Sequence, residues 1–333
     1  MPSSPLGADR ILPTIPVVAG PTGVGKTEAC VTVAERIGAE IISADSRQVY
    51  RGLAVGTAAP SPLQSSRVPH HLIGVLDPQE TWSAGAFARQ AAGIIGDIRA
   101  RGKRVMVVGG SGFYLRAFTE GLFEEPDTDA ETRRRVRHRL QRRLDEEGLE
   151  TLFRELMERD PGWAAALEPT DTQRVLRGLE AFELHGRPLS ELQRTAGKDP
   201  PLAADWQVVV LMRERSDLYR RLDARVSRML EAGWLREAEE LRARGVPADA
   251  PGLSGLGYAE LYDHLDGARP LDEAAERIRR EHRRYAKRQM TWFRSLTDAR
   301  FVHLKEEDGP RETATMILNA LGESADPNGG EVS

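Results

Sequence analysis

The chain has 333 residues, of which 40% are hydrophobic and 29% are charged, and its formal net charge is −4 at pH 7. Such a chain can bury a sizeable core and is expected to form two folding units of an ordinary soluble protein. Its single cysteine, Cys30, excludes an internal disulfide framework and a zinc finger of paired cysteines. No apolar run reaches the ~20 residues that cross a bilayer, and the amino end lacks the pattern of an export signal. We therefore expect a cytoplasmic protein, a monomer, with no membrane association.

The first predicted strand, residues 15–19, leads into a glycine-rich loop and then into a predicted helix at 26–37. Eight consecutive residues form this candidate diphosphate-binding loop: Gly20, Pro21, Thr22, Gly23, Val24, Gly25, Lys26 and Thr27. The glycines allow unusual backbone angles, and amides at a helix start point at phosphate oxygens. Lys26 neutralises terminal phosphates, and the Thr27 hydroxyl completes the shell of a magnesium ion. The loop therefore predicts the handling of a di- or triphosphate with Mg²⁺.

Apolar, β-prone runs continue at 40–43, 72–76 and 104–108, and a helical pattern lies between the last two at 84–101. This alternation predicts an α/β fold in which helices cover a parallel sheet. A strand is expected again at 206–211. The first part of the chain and the part after about residue 200 are therefore predicted to share one core.

Two motifs follow predicted strands, at the sheet edge where open parallel sheets bind ligands. Asp45 ends one run and begins Asp45–Gln48, and Gly109–Gly112 follows the strand at 104–108. The glycines let a backbone approach a ligand closely. In an ordinary P-loop ATPase a strand-terminal aspartate holds magnesium, so metal support stays open as the role of Asp45.

Between about 125 and 200 the apolar positions recur at helical spacing, and we expect no strand there. Long helices are predicted at about 216–244 and 271–296. The predicted organisation is a discontinuous core at 11–124 and 201–320, an all-helical insertion at 125–200, and a disordered tail at 321–333.

Arginines concentrate in two stretches, 131–143 and 276–294, which are either nucleic-acid surfaces or solvated helix faces. On the helix after Ser216, Arg225 borders the apolar face, while Arg221 and Arg228 are expected to turn outward. On the last long helix the arginines are expected to face solvent, and one stripe is expected to pack into the core: Ile278, Tyr285, Trp292 and Leu296.

Six motifs in order, between about residues 15 and 298, closely resemble the bacterial tRNA dimethylallyltransferase family: Gly20–Thr27, Asp45–Gly52, Gly56–Ala58, Pro69–Leu72, Gly109–Tyr114 and Lys287–Trp292. The resemblance implies a P-loop NTPase-like core and a prenyl transfer. In that reaction the dimethylallyl group of dimethylallyl diphosphate moves to the exocyclic amine of the adenosine 3′-adjacent to the anticodon, in tRNAs that read U-starting codons. Pyrophosphate leaves, and no ATP is consumed.

The resemblance also implies roles for residues. Asp45 is the base that takes the amine proton, and Ser111 and Arg225 stabilise the leaving diphosphate together with Lys26 and magnesium at Thr27. The residues expected to contact the tRNA anticodon stem-loop are Asp45, Ser46, Arg47, Gln48, Ser111, Arg133, Gln173, Arg174, Val175, Leu176 and Arg177. Arg174 and Arg177 share a helix face, where they can contact neighbouring phosphates or stack on bases.

Two other functions stay open for the sequence alone. A P-loop kinase or ATPase of small molecules would use the same loop for ATP, and a non-catalytic RNA-binding protein would keep the loop for structure. The chain also departs from the family pattern, since Ser254 and Ala259 stand where arginines are common. We therefore assign no tRNA contact to the loop that contains them.

Overall fold

The computed structural model describes residues 12–323 except 124, 125, 127, 196, 197 and 256. The chain forms two compact units. Residues up to Thr119 and from Pro200 onward form the first, called here the sheet unit, and Glu120–Asp199 form the second, called the helical unit. The predicted tail lies largely outside the described residues, and the last helix ends at Leu321.

The strands are β1 Thr14–Ala19, β2 Ala39–Ala44, β3 His70–His71, β4 Arg104–Gly109, β5 Leu122–Phe123, β6 Lys198–Asp199, β7 Asp205–Arg213 and β8 Arg300–Leu304. The helices are α1 Lys26–Ile37, α2 Pro62–Arg67, α3 Ala84–Ala100, α4 Gly112–Thr119, α5 Ala130–Glu147, α6 Leu149–Arg159, α7 Pro161–Ala164, α8 Thr172–His185, α9 Leu189–Thr195, α10 Arg215–Glu231, α11 Trp234–Ala243, α12 Tyr258–Leu265, α13 Leu271–Arg294 and α14 Pro310–Leu321.

Six parallel strands form the sheet, in the order β3-β2-β4-β1-β7-β8. In the central strand, Val18 pairs with Val108 of β4 on one side and Val209 of β7 on the other. Both β1 and β2 are almost wholly buried, as expected for a parallel sheet covered by helices. The predicted α/β architecture is confirmed.

The strand predicted at 72–76 is wrong. The strand beside β2 is the two-residue β3, and Leu76 makes only an isolated bridge to Tyr50. Leu72 has φ 63° and Gly74 has φ 59°, and this left-handed backbone cannot continue an extended strand. The β8 strand and helix α14, which were not predicted, complete the far side of the sheet unit.

The helix predicted at 216–244 is two helices, α10 and α11. Gly233 separates them in the left-handed conformation, with φ 95°, which glycine adopts without a steric penalty. Helices α10, α11, α12 and α13 surround an apolar cluster, called here the second apolar cluster to distinguish it from the core around the sheet. Its largest side chains include Trp234 and Tyr258. This cluster supports the segment that follows β2.

The carboxyl ends of β1, β2 and β4 lie side by side. Gly109 ends β4, where a Cβ atom would lie 2.1 Å from the carbonyl oxygen of Ala44, so only glycine fits. The strand order also reverses around β1, because β2 and β4 lie on one side of it and β7 on the other. Open sheets bind ligands at such a point.

The helical unit packs α5, α6 and α8 around an apolar core. The fully buried side chains at its centre include Leu152, Leu156 and Val175. The expectation of no strand at 125–200 is wrong at its end, because β6 pairs antiparallel with β5, Leu122 opposite Asp199. No helix in the described part of the chain is long and apolar enough to cross a membrane.

Candidate active site

A cavity of about 880 Å³ lies at the carboxyl ends of β1 and β2. It is lined by the phosphate loop, by the Asp45–Gln48 turn, by Thr57 and Ala58, and by residues of α10 and α13. Basic side chains outnumber the four carboxylates of the lining, Glu28, Asp45, Asp217 and Glu306; the basic ones are Lys26, Arg47, Arg220, Arg221, Arg225, Arg228 and Arg288. Such a lining favours an anionic ligand.

The phosphate loop has the backbone that its glycines predict. Gly20, Gly23 and Gly25 have φ values of 148°, 80° and 111°, a region that other residues rarely adopt. A Cβ atom at Gly20 would also lie 2.6 Å from the carbonyl oxygen of Leu211 in β7. Helix α1 begins at Lys26, so the loop amides precede a helix N-terminus, where anions bind.

Lys26 lies inside this loop, and its Nζ donates to the carbonyl oxygens of Gly20 at 2.7 Å and Pro21 at 3.0 Å. Burial lowers the pKa of the Lys26 ammonium to about 8, while the negative charge of Asp45 acts in the opposite direction. The negative charge of a bound diphosphate would also favour the charged form of this ammonium.

Asp45 forms a tight turn at the end of β2. Its Oδ1 accepts hydrogen bonds from the backbone N–H of Arg47 at 2.8 Å and of Gln48 at 3.3 Å. Ser111 lies beside this turn, and its Oγ accepts from the N–H of Ser46 at 3.1 Å. Two strand ends that are 65 residues apart in sequence thus bring the predicted carboxylate and hydroxyl together.

Arg225 reaches the same cavity from α10, as its position at the border of the apolar face predicted. Its Nη2 donates to the carbonyl oxygen of Thr57 at 3.1 Å. Burial lowers its pKa, and the charge of Asp45 raises it. Its Nε is buried without a hydrogen-bond partner among the described residues, so one donor of the guanidinium is unpaired.

A family described as IPP transferase matches residues 48–296, and one described as isopentenyl transferase matches residues 13–69. A tRNA dimethylallyltransferase of Salinibacter ruber is 43% identical over 326 residues, which are 98% of this chain and 96% of the relative. The chain belongs to the IPP transferase family. The resemblance inferred from six motifs is confirmed.

The comparison with solved structures supports the same family assignment. A full-length tRNA isopentenylpyrophosphate transferase from Bacillus halodurans matches with a TM-score of 0.65 and 35% identity, over 93% of this chain and 96% of that one. A eukaryotic dimethylallyltransferase captured acting on tRNA matches with a TM-score of 0.71 and 27% identity, over 87% of this chain and 74% of that one. The P-loop NTPase-like fold is confirmed, and a small-molecule kinase or ATPase is not favoured.

The expectation that Arg221 and Arg228 turn outward is wrong for Arg221 and correct for Arg228. Arg221 is half-buried, and its Nε donates to the carbonyl oxygen of Gly23 in the phosphate loop at 3.2 Å. Arg228 is exposed but lines the cavity with it. The phosphate loop packs against the side of α10. Residues of this helix that lie outside its apolar stripe can therefore reach the loop and the cavity.

Helix α13 contributes residues that sequence reasoning missed. Gln289 is buried, and its Oε1 accepts from the N–H of Thr22 at 2.9 Å while its Nε2 donates to the carbonyl oxygen of Gly110 at 2.8 Å. Tyr285, which was expected to pack into the core, lines the cavity instead, and its hydroxyl bonds to Ser111. The signal available in the sequence was Gln289, a polar residue four positions after Tyr285 on the buried face of the helix.

The expectation that the arginines of α13 face solvent is therefore only partly correct. Arg288 lines the cavity, and Arg283 forms an ion pair with Asp223 of α10 at 2.6 Å. Of the stripe predicted to pack into the core, Ile278 is fully buried, whereas Tyr285, Trp292 and Leu296 are only partly buried. α13 thus serves both the core and the cavity.

The residues around Thr27 agree with a magnesium ion that is bound mainly through phosphate and water. Thr27 lines the cavity beside Lys26. The described residues contain no group of three or more His, Cys, Asp or Glu side chains that would hold a metal by themselves. Mg²⁺ keeps several waters and takes few protein ligands when a substrate supplies phosphates, so one hydroxyl suits it.

The predicted tRNA contacts in the helical unit lie on α5 and α8. Arg174 is exposed, whereas Val175 is fully buried in the apolar core, so its side chain is not available to a ligand. The buried carboxylate of Glu180 forms ion pairs with Arg133 at 3.5 Å and with Arg177 at 3.7 Å. Gln173 is exposed, and Leu176 packs against the core of this unit.

Proposed function

We propose that this protein transfers the dimethylallyl group of dimethylallyl diphosphate to the exocyclic amine of the adenosine 3′-adjacent to the anticodon in tRNAs that read U-starting codons. One observation carries the proposal. Lys26, Asp45 and Arg225 all line one cavity, together with the phosphate loop. A diphosphate cradle and a candidate base are therefore adjacent, as a transfer between them requires.

The phosphate loop holds the departing group. Its amides, Lys26 and Arg225 donate to the oxygens of the diphosphate, and their charge opposes the charge that develops as the carbon–oxygen bond breaks. Magnesium held by the Thr27 hydroxyl would further stabilise this charge. Pyrophosphate leaves with the bonding electron pair.

Asp45 acts on the other reactant. The exocyclic amine of adenine is a weak nucleophile because its lone pair is delocalised into the ring, so removal of its proton during attack lowers the barrier. The new bond joins the amine nitrogen to the first carbon of the dimethylallyl group, and the proton passes to the carboxylate of Asp45. Ser111 lies beside Asp45 and orients either the base or the diphosphate.

The adenosine must leave its stack to enter a cavity of this depth. Ser46, Arg47 and Gln48 follow Asp45 in the same turn and are the proposed contacts for the flipped nucleotide. Arg133, Gln173, Arg174, Leu176 and Arg177 of the helical unit are proposed to lie along the anticodon stem-loop, with Val175 supporting them from the core. Phosphate contacts of this kind position RNA. We propose a cytoplasmic monomer.

The test is a direct assay. Unmodified tRNA is incubated with radiolabelled dimethylallyl diphosphate, with and without Mg²⁺, and the tRNA is digested to nucleosides. We expect label in one modified adenosine and release of one pyrophosphate for each transfer. Hydrolysis of ATP at useful rates without any label in tRNA would contradict the proposal and favour a kinase or ATPase.

A further inference from the structure

The carboxylate of Glu237 on α11 binds a loop that borders the cavity, residues Val55–Ala58. Glu237 accepts a hydrogen bond from the backbone N–H of Val55 at 2.8 Å through Oε2 and from that of Gly56 at 2.9 Å through Oε1. The hydroxyl of Tyr258 in α12 donates to the same Oε1 at 2.6 Å. Two successive amides and a phenol thus converge on one side chain, which does not itself line the cavity.

The residues around this carboxylate pack closely against Gly56. A Cβ atom at Gly56 would lie 2.2 Å from Nε1 of Trp234 and 2.4 Å from the hydroxyl of Tyr258. Trp234 and Tyr258 are fully buried in the second apolar cluster. Gly56 is therefore pressed against α11 and α12, at a distance that permits only glycine.

The other side of the loop faces the cavity. The carbonyl oxygen of Thr57 accepts from Nη2 of Arg225 at 3.1 Å and from Nε2 of Gln48 at 3.4 Å, and the carbonyl oxygen of Ala58 accepts from Gln48 at 3.3 Å. Ala58 has φ 45°, a left-handed conformation that costs free energy for a residue with a side chain. Such a backbone persists only where surrounding contacts hold it.

We infer that Glu237 is a positioning residue for the transfer reaction, acting on Arg225 and Gln48 through the carbonyl groups of Thr57 and Ala58. The carboxylate holds the amides of the loop on one side, and this orients its carbonyls toward the two side chains on the other. Arg225 is then held through Nη2 at the cavity that the diphosphate would enter. This inference rests on the proposed function.

The test compares Glu237→Gln with Glu240→Gln in the same assay of prenyl transfer. Glutamine keeps the length of the side chain but places an NH₂ group where one backbone N–H needs an acceptor. Glu240 lies on the same helix, is exposed and pairs only with Arg236 among the described residues, at 3.1 Å. We expect kcat to fall about tenfold or more in Glu237→Gln, as misplacement of a catalytic group does, and to stay unchanged in Glu240→Gln.

The decisive readout is coupling to Arg225. If Glu237 acts through Arg225, Glu237→Gln should lower kcat by a clearly smaller factor in an Arg225→Ala background than in the native protein, because one of the two groups it positions is already gone. Equal losses in both backgrounds would overturn the inference. Thermal melting checks that the variants fold, and Tyr258→Phe, which removes only one bond to the carboxylate, replaces Glu237→Gln if that variant unfolds.

The two proposals fail in different ways. Absence of transfer by the native protein, with intact tRNA and Mg²⁺, contradicts the proposed function. Transfer by the native protein together with additive losses, or with no loss in Glu237→Gln, contradicts the positioning role alone.

Discussion

The Nε of Arg213, at the end of β7, donates to the carbonyl oxygen of Val24 in the phosphate loop at 3.0 Å. In a trans peptide the carbonyl and the following N–H point in opposite directions, so this bond fixes the N–H of Gly25 to point away from Arg213, and Gly25 lines the cavity. Arg213 is only 4% exposed and pairs with Asp217 at 3.0 Å. A buried arginine thus sets the orientation of an amide that is proposed to bind phosphate.

Arg213→Lys tests this relationship with little change of charge. Lysine cannot bond the loop and Asp217 in the same planar arrangement, so we expect affinity for inorganic pyrophosphate to fall about tenfold through loss of charge-assisted hydrogen bonds. Titration calorimetry measures the affinity. Arg215→Lys, at an exposed position on α10, is the control and should bind like the native protein. Equal affinity of all three proteins would contradict the role of Arg213.

Asp45→Asn should separate catalysis from binding. Asparagine keeps an oxygen that can accept from Arg47 and Gln48, so the turn should remain, but it cannot take a proton. We expect kcat to fall by about 10² to 10⁴, the range for loss of a general base. Single-turnover assays measure this loss, and melting temperature should not change.

Asp249→Asn, an exposed substitution of the same kind, serves as the control for Asp45→Asn. Native turnover in the Asp45 variant would exclude this carboxylate as the base. It would leave metal support as its role.

The affinity for the diphosphate donor should depend on Lys26 above neutral pH. In the free protein its pKa is about 8, lowered chiefly by burial. A bound diphosphate favours the charged form and raises this pKa, so the complex takes up a proton when it forms above about pH 8. Affinity is then fully present below that pH and falls as pH rises through it, by about tenfold per unit.

Measurement of kcat/KM for dimethylallyl diphosphate between about pH 6.5 and 9.5 checks this sign. Lys26→Arg, whose guanidinium stays charged, should show no fall in this range that is due to residue 26. A native profile that is flat above pH 8 would contradict the assignment of Lys26 to the diphosphate.

Arg174 should contribute to tRNA binding through a phosphate contact. Its side chain is 62% exposed, and its ion pair with Asp171 at 3.5 Å is a weak surface contact. We expect Arg174→Gln to weaken tRNA binding and to reduce the slope of log affinity against log salt concentration by about one. Filter binding at several salt concentrations measures both quantities, with pyrophosphate affinity unchanged.

Arg236→Gln, which removes another exposed arginine charge from α11 in the sheet unit, controls for Arg174→Gln. Its salt dependence should equal that of the native protein. If the two variants behave alike, Arg174 has no specific role and the loss reflects net charge.

The sequence alone determined the features that depend on residues close to one another in the chain. The phosphate loop is eight consecutive residues, so its glycines, Lys26 and Thr27 could be assigned to one site before any fold was known. The buried strands β1, β2 and β4 could be predicted because their apolar runs are continuous. The family could be identified because six such local motifs occur in order.

Only the tertiary structure decided which distant residues complete the site. Gln289 bonds Thr22 across 267 positions, Arg213 bonds Val24 across 189, and Glu237 bonds Val55 across 182. A helix pattern shows which face is polar but not what packs against it. Contacts of this kind follow from the packing of strands and helices in space, so no local spacing in the chain encodes them.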